Sequence, residues 1–128
     1  MTPDEILEID AKRNHPPGTV AGHLRAEINQ ELRQKGQVVQ QGDTLIVFRS
    51  PKHGVVEYHC FNADTPENLA KNVMAVWGLF KKLGFKTAVT PYQNPKISEL
   101  FKQFGKPYKT EIKTKGDVIT ATTNLAGE

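Results

Sequence analysis

Two side chains able to carry a proton lie two residues apart in the segment VVEYHCF, residues 55–61. The segment is rich in β-branched and aromatic residues, which predicts a β-strand. Because residues i and i+2 of a strand point to the same face, Glu57 and His59 lie side by side and could take a proton from an amine. A polar sheet face explains the same pair without any chemistry, and the sequence favours that interpretation.

The other reactive side chains give little indication of chemistry. Cys60 lies on the opposite face of this strand, next to apolar neighbours, and is expected in the core rather than as a nucleophile. As the single cysteine it excludes an internal disulfide and fits a reducing compartment. The four histidines share no ligand spacing, so no metal site is predicted.

The strand begins a strand–helix–strand–helix unit that continues to Gly105. Thr65 and Pro66 suit the N-cap and the first position of a helix, and Gly84 supplies the left-handed residue that ends it. Two strands joined through this helix predict a parallel pair with a right-handed crossover. The helix has one apolar stripe at three- and four-residue spacing, made of Leu69, Val73, Val76, Trp77, Phe80 and Leu83.

Two helices are predicted before this unit. The first begins at Thr2 and Pro3, and the break HPPG at residues 15–18 separates it from the second. The second helix is predicted over residues 20–35 and ends at Gly36. It carries apolar residues at strict four-residue steps, namely Val20, Leu24, Ile28 and Leu32.

Strands account for most of the remainder, since the hydrophobic period changes from four to two beyond the second helix. A meander of three strands leads into the central helix, and a hairpin turning at Gly116 ends the chain. The predicted order is α-α-β-β-β-α-β-α-β-β in one α+β domain, residues 1–128, with a mixed sheet and helices on both faces. Residues 1–36 form its helical part, 37–125 its sheet and crossover helices, and 126–128 a tail.

Composition limits the partners to be expected. The 38% of hydrophobic and 24% of charged residues are typical of a soluble globular protein. No apolar segment approaches the roughly 18 residues of a membrane span, and the N-terminus is acidic rather than signal-like. The formal charge of +3 is too small to indicate nucleic acid by itself. Lysines of the C-terminal third, with Tyr92 and Tyr108 nearby, could contact phosphates, but a solvated basic surface is the stronger interpretation.

The order of elements resembles the fold of the GNAT acetyltransferases, in which two helices precede a strand meander and a strand–helix–strand–helix unit that binds acetyl-CoA. The more specific likeness is to the second cofactor motif of that family, whose spacing is matched by Asn94, Ile97, Leu100, Phe101 and Gly105. The resemblance covers residues 37–125 and lacks the family's usual first strand. It implies a cofactor cleft where the two parallel strands splay apart, near Cys60 and Val89.

The resemblance also implies which residues would serve that cleft. A general base of the family can sit where Glu57 and His59 stand. The candidate cofactor contacts are Cys60, Asn62, Asn94 and Phe101. The tyrosine that often protonates the leaving thiolate in the family falls on Phe101, which has no proton to give and is expected to be a core residue.

One turn departs from the family pattern. In GNAT enzymes the turn before the central helix resembles Gln/Arg-x-x-Gly-x-Gly/Ala, and its free amides hold the diphosphate of CoA. The corresponding residues 61–67 contain no glycine, and Pro66 removes one amide. Asp64 and Glu67 add two carboxylates, although such residues also stabilise a helix N-terminus by about 0.3–1 kcal/mol each. The turn predicts that the diphosphate site is lost and that no cofactor binds.

Two function classes stay open. The layout from Asn94 to Asn124 is similar to that of small GNAT-like phage proteins, which include an internal virion protein of short-tailed phages. This resemblance implies a phage-encoded, catalytically degenerate protein that acts in the virion or the host cytoplasm through a protein partner. The alternative is an acetyl-CoA-dependent N-acyltransferase with an atypical diphosphate turn. A nucleic-acid binder comes third, supported by the lysines alone. The turn at residues 62–67 discriminates between the first two and favours the degenerate protein.

Overall fold

Ten secondary-structure elements follow one another in the predicted order in this computed structural model, which describes residues 1–103 and 108–126. The helices are α1 (Pro3–Asn14), α2 (Ala21–Arg33), α3 (Pro66–Lys82) and α4 (Pro95–Gln103). The strands are β1 (Gln37–Gln41), β2 (Thr44–Lys52), β3 (Val55–Asn62), β4 (Thr87–Tyr92), β5 (Lys109–Lys115) and β6 (Val118–Asn124). Gly105 of the predicted motif and residues 127–128 of the predicted tail lie outside the described residues.

The six strands form one mixed sheet in the order β1-β2-β3-β4-β6-β5. β3 and β4 run parallel and α3 connects them, while the other neighbouring strands are antiparallel. A parallel pair needs such a connection because a tight turn cannot return the chain to the same end of the sheet. The predicted α+β class, element order and mixed sheet are confirmed.

β3 has a neighbour on each side, and only one of them follows it to its end. Its antiparallel pairing with β2 extends from Val55 to Asn62. Its parallel pairing with β4 stops after Glu57, opposite Val89. β4 continues instead with β6 as far as Tyr92. The two parallel strands therefore splay apart beyond Val89, as predicted, and leave a gap in the sheet.

Helices cover both faces of the sheet, as predicted, and divide the core in two. The larger cluster lies under α3 and α4, where Trp77 is fully buried and packs in one cluster with Ile46. The smaller cluster joins α1 and α2 to the opposite face and contains Leu24 and Val47. Ile46 and Val47 serve different clusters because successive side chains of a strand point to opposite faces. None of the helices in the described part of the chain has the length and apolar character that crossing a membrane requires.

The stripe predicted for the second helix is only half buried. Leu24 and Ile28 are buried, whereas Val20, which is the N-cap, and Leu32 are 54% and 40% exposed. Steps of four residues overshoot the 3.6-residue helical turn, so each step rotates the side chain by about 40°. Over three steps the ends of the row leave the face that contacts the sheet, and α2 packs through its middle.

Three element ends also differ from the predictions. Lys35, rather than Gly36, takes the left-handed conformation after α2, with a φ of 67°. Gly36 is required for a different reason, because a Cβ there would lie 2.5 Å from the carbonyl oxygen of Glu31, to which the Gly36 amide donates. Leu83 follows α3 and is 56% exposed, outside the stripe. The strand predicted from the segment TLIVFR ends at Arg49, whereas β2 extends to Lys52.

Replacing Trp77 by alanine tests how α3 packs on the sheet. The indole Nε1 donates to Tyr58 Oη at 3.2 Å, and the ring stacks on Phe101. Trp77→Ala should lower the free energy of unfolding by about 3–5 kcal/mol, as expected when a large buried side chain is removed. Urea melts followed by circular dichroism measure this change. Leu79→Ala, on the exposed side of α3, is the matched control and should cost less than about 1 kcal/mol. Overlapping melts of Trp77→Ala and the parent would contradict the packing.

Candidate functional site

The gap between β3 and β4 opens into a cleft of about 270 Å³ that runs through the sheet from one face to the other. Its wall on the α3–α4 side is apolar and includes Leu69, Val73, Ile97, Leu100 and Phe101. Its opening on the α1–α2 side is polar and is bordered by Asp10, Asn14, His15, Glu27 and His59. Small-molecule pockets usually measure about 300–1,000 Å³, so this cleft suits a narrow chain better than a large ligand.

The edge of β3 that borders the cleft carries backbone groups that β4 does not pair. Ala63 N donates to Asp43 O, so the odd-numbered residues of β3 direct their amides towards β2. Asn62 and Cys60 direct theirs the other way, towards the cleft, because amides alternate along a strand. The amide of Asn62 donates to Asp10 Oδ1 at 2.9 Å. The amide of Cys60 lies further along the same edge, where it can bind a carbonyl oxygen.

The surroundings of Cys60 disfavour the reactive thiolate. Burial raises the pKa of the Cys60 thiol to about 12, and the charge of Asp10 contributes in the same direction. Because the thiolate is the reactive form, almost none is present near neutral pH. The side chain is partly buried: it packs against the larger core cluster and also borders the cleft, so it lies at the margin of the core in which the sequence places it.

A buried carboxylate closes the polar end of the cleft. Asp10 of α1 is 1% exposed, and its Oδ1 accepts from the amide of Asn62 and, at 2.7 Å, from Asn14 Nδ2. Its Oδ2 lies 2.7 Å from Nε2 of His15. These bonds satisfy a charge that burial would otherwise penalise. They also tie α1, and the turn that follows it, to the free end of β3.

Sequence reasoning missed Asp10 and His15, although α1 carries a signal for the first. Ile6, Leu7 and Ala11 mark the buried face of α1 at helical spacing, and Asp10 lies on that face. An acidic residue within an apolar stripe needs a partner inside the protein, so this position predicts a buried network. No comparable pattern points to His15, because the conformation of the turn after α1 decides where its ring lies.

The structure brings Glu57 and His59 together, as their spacing predicts, within a larger charged cluster. His59 Nε2 lies 3.3 Å from Glu57 Oε1 and 3.9 Å from Glu31 Oε1. The other oxygen of Glu31 accepts from Arg49 Nε at 2.6 Å. His59 borders the cleft, whereas Glu57 is not among the described residues that line it. The cluster links α2 to the sheet, which gives these residues a structural role of their own.

Asn94 and Phe101 border the cleft at α4, and their contacts are structural. Asn94 precedes α4, and its Oδ1 accepts from the amide of Lys96 at 3.0 Å. Phe101 is 6% exposed and lies between the rings of Trp77 and Tyr92, at centroid distances of 6.1 and 5.8 Å. The expected core position of Phe101 is confirmed.

A hydroxyl group that sequence reasoning did not assign to the cleft lies beside Phe101. Tyr92 ends β4, borders the cleft and shares a 2.8 Å hydrogen bond with Ser98 Oγ. Burial raises the pKa of the Tyr92 phenol, so the group keeps its proton at neutral pH. Phe101 has no proton to donate, but the hydroxyl group of Tyr92, whose ring stacks on that of Phe101, can supply one.

The turn at the N-terminus of α3 uses some of its amides within the chain. Amides that donate internally belong to Asn62, Ala63, Asn68 and Leu69. The predicted cap is confirmed, since Thr65 Oγ1 accepts from Asn68 N at 3.2 Å. Pro66 has no amide to offer. A diphosphate needs several converging amides that the backbone can bring close, and the lack of glycine together with Pro66 limits both in this turn.

Asp64 differs from its expected place, because its carboxylate faces into the protein. Its Oδ2 accepts from Asp43 N, Thr44 Oγ1 and Asn72 Nδ2 at 3.0, 2.7 and 2.8 Å. These bonds fasten the start of β2 to α3. The carboxylate at the solvent side of the turn is that of Glu67, which is exposed. The expected pair of like charges at the solvent side of the turn is therefore reduced to the single carboxylate of Glu67.

Comparison with solved structures identifies the fold as that of the GNAT acetyltransferases. FdhC, a nucleotide-linked sugar GNAT, aligns with a TM-score of 0.64 at 11% identity over 98% of this chain and 82% of its own. An N-acetyltransferase from Staphylococcus aureus Mu50 aligns at 0.54 and 14% identity over 98% and 95% of the two chains. YncA, a putative acetyltransferase from Salmonella typhimurium solved with acetyl-CoA, aligns at 0.56 and 13% identity over 95% and 86%.

These similarities establish the fold, and the fold resemblance noted in the sequence is confirmed. No family model and no curated protein matches the chain. At such low identity the activity has to be argued from the site itself. The likeness to phage virion proteins stays a prediction.

Alkylation of Cys60 tests the surroundings of its partly buried thiol at the cleft wall. A thiol pKa of about 12 in place of 9.0 lowers the thiolate fraction about a thousandfold at pH 8. Iodoacetamide should therefore label native Cys60 at least about 100-fold more slowly than in 8 M urea, as measured by mass spectrometry. The control is Lys113→Cys in a Cys60→Ala background, because position 113 is exposed and should label readily in both states. Equal rates for Cys60 in the two conditions would contradict its placement.

Proposed function

We propose that the protein is a GNAT-type acyltransferase that binds the thioester arm of an acyl donor in the cleft and transfers the acyl group to an amine. The proposal rests on the cleft that passes through the sheet between β3 and β4. The cleft combines an apolar wall, an edge of β3 that β4 does not pair and a polar opening on the far side. If the fold served only as a scaffold, larger side chains that filled the cleft would stabilise the protein. Ligand binding therefore explains the open cleft better than a scaffold role does.

The cleft suits the pantetheine arm of acetyl-CoA. That arm is narrow and carries amide groups, so it can lie along a strand edge and exchange hydrogen bonds with the backbone. Val73 and Leu100 would contact its methylene groups, and the amide of Cys60 would bind the thioester oxygen. The bound thioester would supply an activated acyl group. Tyr92 would provide the proton that the departing thiolate needs.

The nucleotide half of acetyl-CoA does not fit this site. The turn at the start of α3 has no glycine, Pro66 has no amide, and Glu67 adds a negative charge. One like-charge contact costs about 1–4 kcal/mol at the effective dielectric of a protein surface. The thioester arm would therefore provide nearly all of the affinity, and the nucleotide little or none.

A second candidate is the degenerate protein that the sequence favours. The turn before α3, which has no glycine and includes Pro66, supports it. In this account the chain is phage-encoded, binds no acyl donor, and acts in the virion or in assembly through a protein partner. Phe101, in place of a proton donor, is a further point in its favour. The two candidates differ in one measurable property, which is the binding of a thioester.

Calorimetric titration with two donors separates the candidates. S-acetyl-pantetheine lacks the nucleotide, so it should bind about as tightly as acetyl-CoA, with dissociation constants of about 0.1–1 mM that agree within about threefold. No heat from either donor would favour the degenerate protein. A hundredfold preference for acetyl-CoA would contradict the proposal that the nucleotide goes unrecognised.

Two variants make the titration specific. Glu67→Gln removes the exposed charge at the turn, so it should strengthen acetyl-CoA binding a few fold and leave S-acetyl-pantetheine unchanged. Ile97→Trp fills the apolar wall of the cleft and should weaken both donors at least tenfold. A variant at Ile97 that binds both donors normally would place the ligand elsewhere.

A further inference from the structure

One histidine at the polar opening of the cleft is oriented by a buried carboxylate. Asp10 Oδ1 accepts from Asn62 and Asn14, and Asp10 Oδ2 lies 2.7 Å from His15 Nε2. An ionised carboxylate can only accept hydrogen bonds, so Nε2 of His15 is the donor in this pair. In the neutral ring the lone pair then belongs to Nδ1. This pairing fixes both the tautomer and the orientation of the imidazole.

The position of the His15 ring is set by β3, the strand that borders the cleft. Asp10 is 1% exposed and is bound to the backbone of Asn62, two residues beyond Cys60 on the same edge of β3. The His15 side chain is 27% exposed and borders the cleft, so a solute entering from the α1–α2 side can reach it. A side chain held to the strand through a buried partner keeps its place when a substrate arrives.

We infer that His15 is the general base of the proposed acyl transfer and that Asp10 is its positioning residue. The inference rests on the proposed function. Nδ1 of His15 takes a proton from the acceptor nitrogen as the N–C bond forms and the C–S bond breaks. The Tyr92 hydroxyl gives a proton to the leaving thiolate. Exchange of one proton with solvent restores His15 and Tyr92, so the reaction yields one amide and one thiol.

His59 is the competing candidate at the same opening, and its surroundings suit a base less well. Its Nε2 faces two carboxylates, Glu57 at 3.3 Å and Glu31 at 3.9 Å, whose side chains are 30% and 22% exposed. Arg49 holds the other oxygen of Glu31 and offsets part of the charge. The cluster thus joins α2 to the sheet without fixing one nitrogen of His59 on a single buried partner.

A spectroscopic test needs neither donor nor acceptor. Nitrogen-15 spectra of the imidazoles, with His15 assigned by comparison with His15→Gln, should show the Nε2-protonated tautomer in the neutral ring. Asp10→Asn should shift His15 towards a mixture of tautomers. An Nδ1-protonated His15 in the parent protein would overturn the inference.

Kinetics then separate a catalytic role from a structural one. With acetyl-CoA and spermidine, glycinamide, a lysine peptide and an amino sugar as acceptors, thiol release should fall at least about 100-fold in His15→Gln. S-acetyl-pantetheine should bind that variant within about twofold of the parent, because His15 does not hold the donor. His59→Gln, at the competing candidate, should reduce the rate of thiol release less than His15→Gln does. The rate of thiol release should fall about 10-fold or more in Asp10→Asn. If that variant does not fold, the rate of His15→Gln still tests the inference.

The outcomes distinguish this inference from the proposed function. A parent protein that binds neither donor, or that transfers to no acceptor in the panel, overturns the proposed function and with it the role of His15. A parent protein that transfers, together with a His15→Gln variant of unchanged rate, overturns the inference alone. A larger loss in His59→Gln than in His15→Gln does the same and assigns the base to the Glu57–His59 cluster.

Discussion

The structure depends on a constraint at β3, which has to keep its ladder with β2 up to Asn62 after its ladder with β4 has ended at Glu57. A strand edge without a neighbour leaves backbone groups unpaired, and a buried unpaired group costs about 1–3 kcal/mol. Asp10 supplies a partner for the amide of Asn62, and Asp64 fastens the next turn to the start of β2. Two carboxylates thus hold the free half of β3 in place and keep the cleft open.

Helix capping and anion binding compete for the same amides at the start of α3. An N-terminal helix turn presents amides without intrahelical partners, and either a capping side chain or a bound anion can satisfy them. In this chain Thr65 caps Asn68, and Pro66 contributes no amide. The cap gives the helix a firm beginning and leaves the turn with fewer amides for an anion. The proposed binding of a thioester arm without recognition of its nucleotide rests on this competition.

Sequence patterns predicted the layout of the fold well because periodicity and turn chemistry are local. The order of elements, the parallel pair and its splay, the Thr65 cap and the pairing of Glu57 with His59 all follow from spacing within a few residues. The network of Asp10 and His15 was missed because its partners lie up to 52 positions apart and meet only after folding. The inward turn of Asp64 was missed for the same reason, since a capping position alone does not reveal that Asp43, Thr44 and Asn72 will surround the carboxylate.

The central claim is that the cleft between β3 and β4 binds a thioester without recognising the nucleotide of CoA. Mapping of backbone amide shifts by nuclear magnetic resonance, with S-acetyl-pantetheine and acetyl-CoA in parallel titrations, tests it most directly. The account predicts that both donors shift the amides of Cys60, Asn94 and Leu100, and that acetyl-CoA adds no comparable shifts at Thr65 and Glu67. Spectra that do not respond to either donor, or strong shifts at the start of α3 with acetyl-CoA alone, would contradict it.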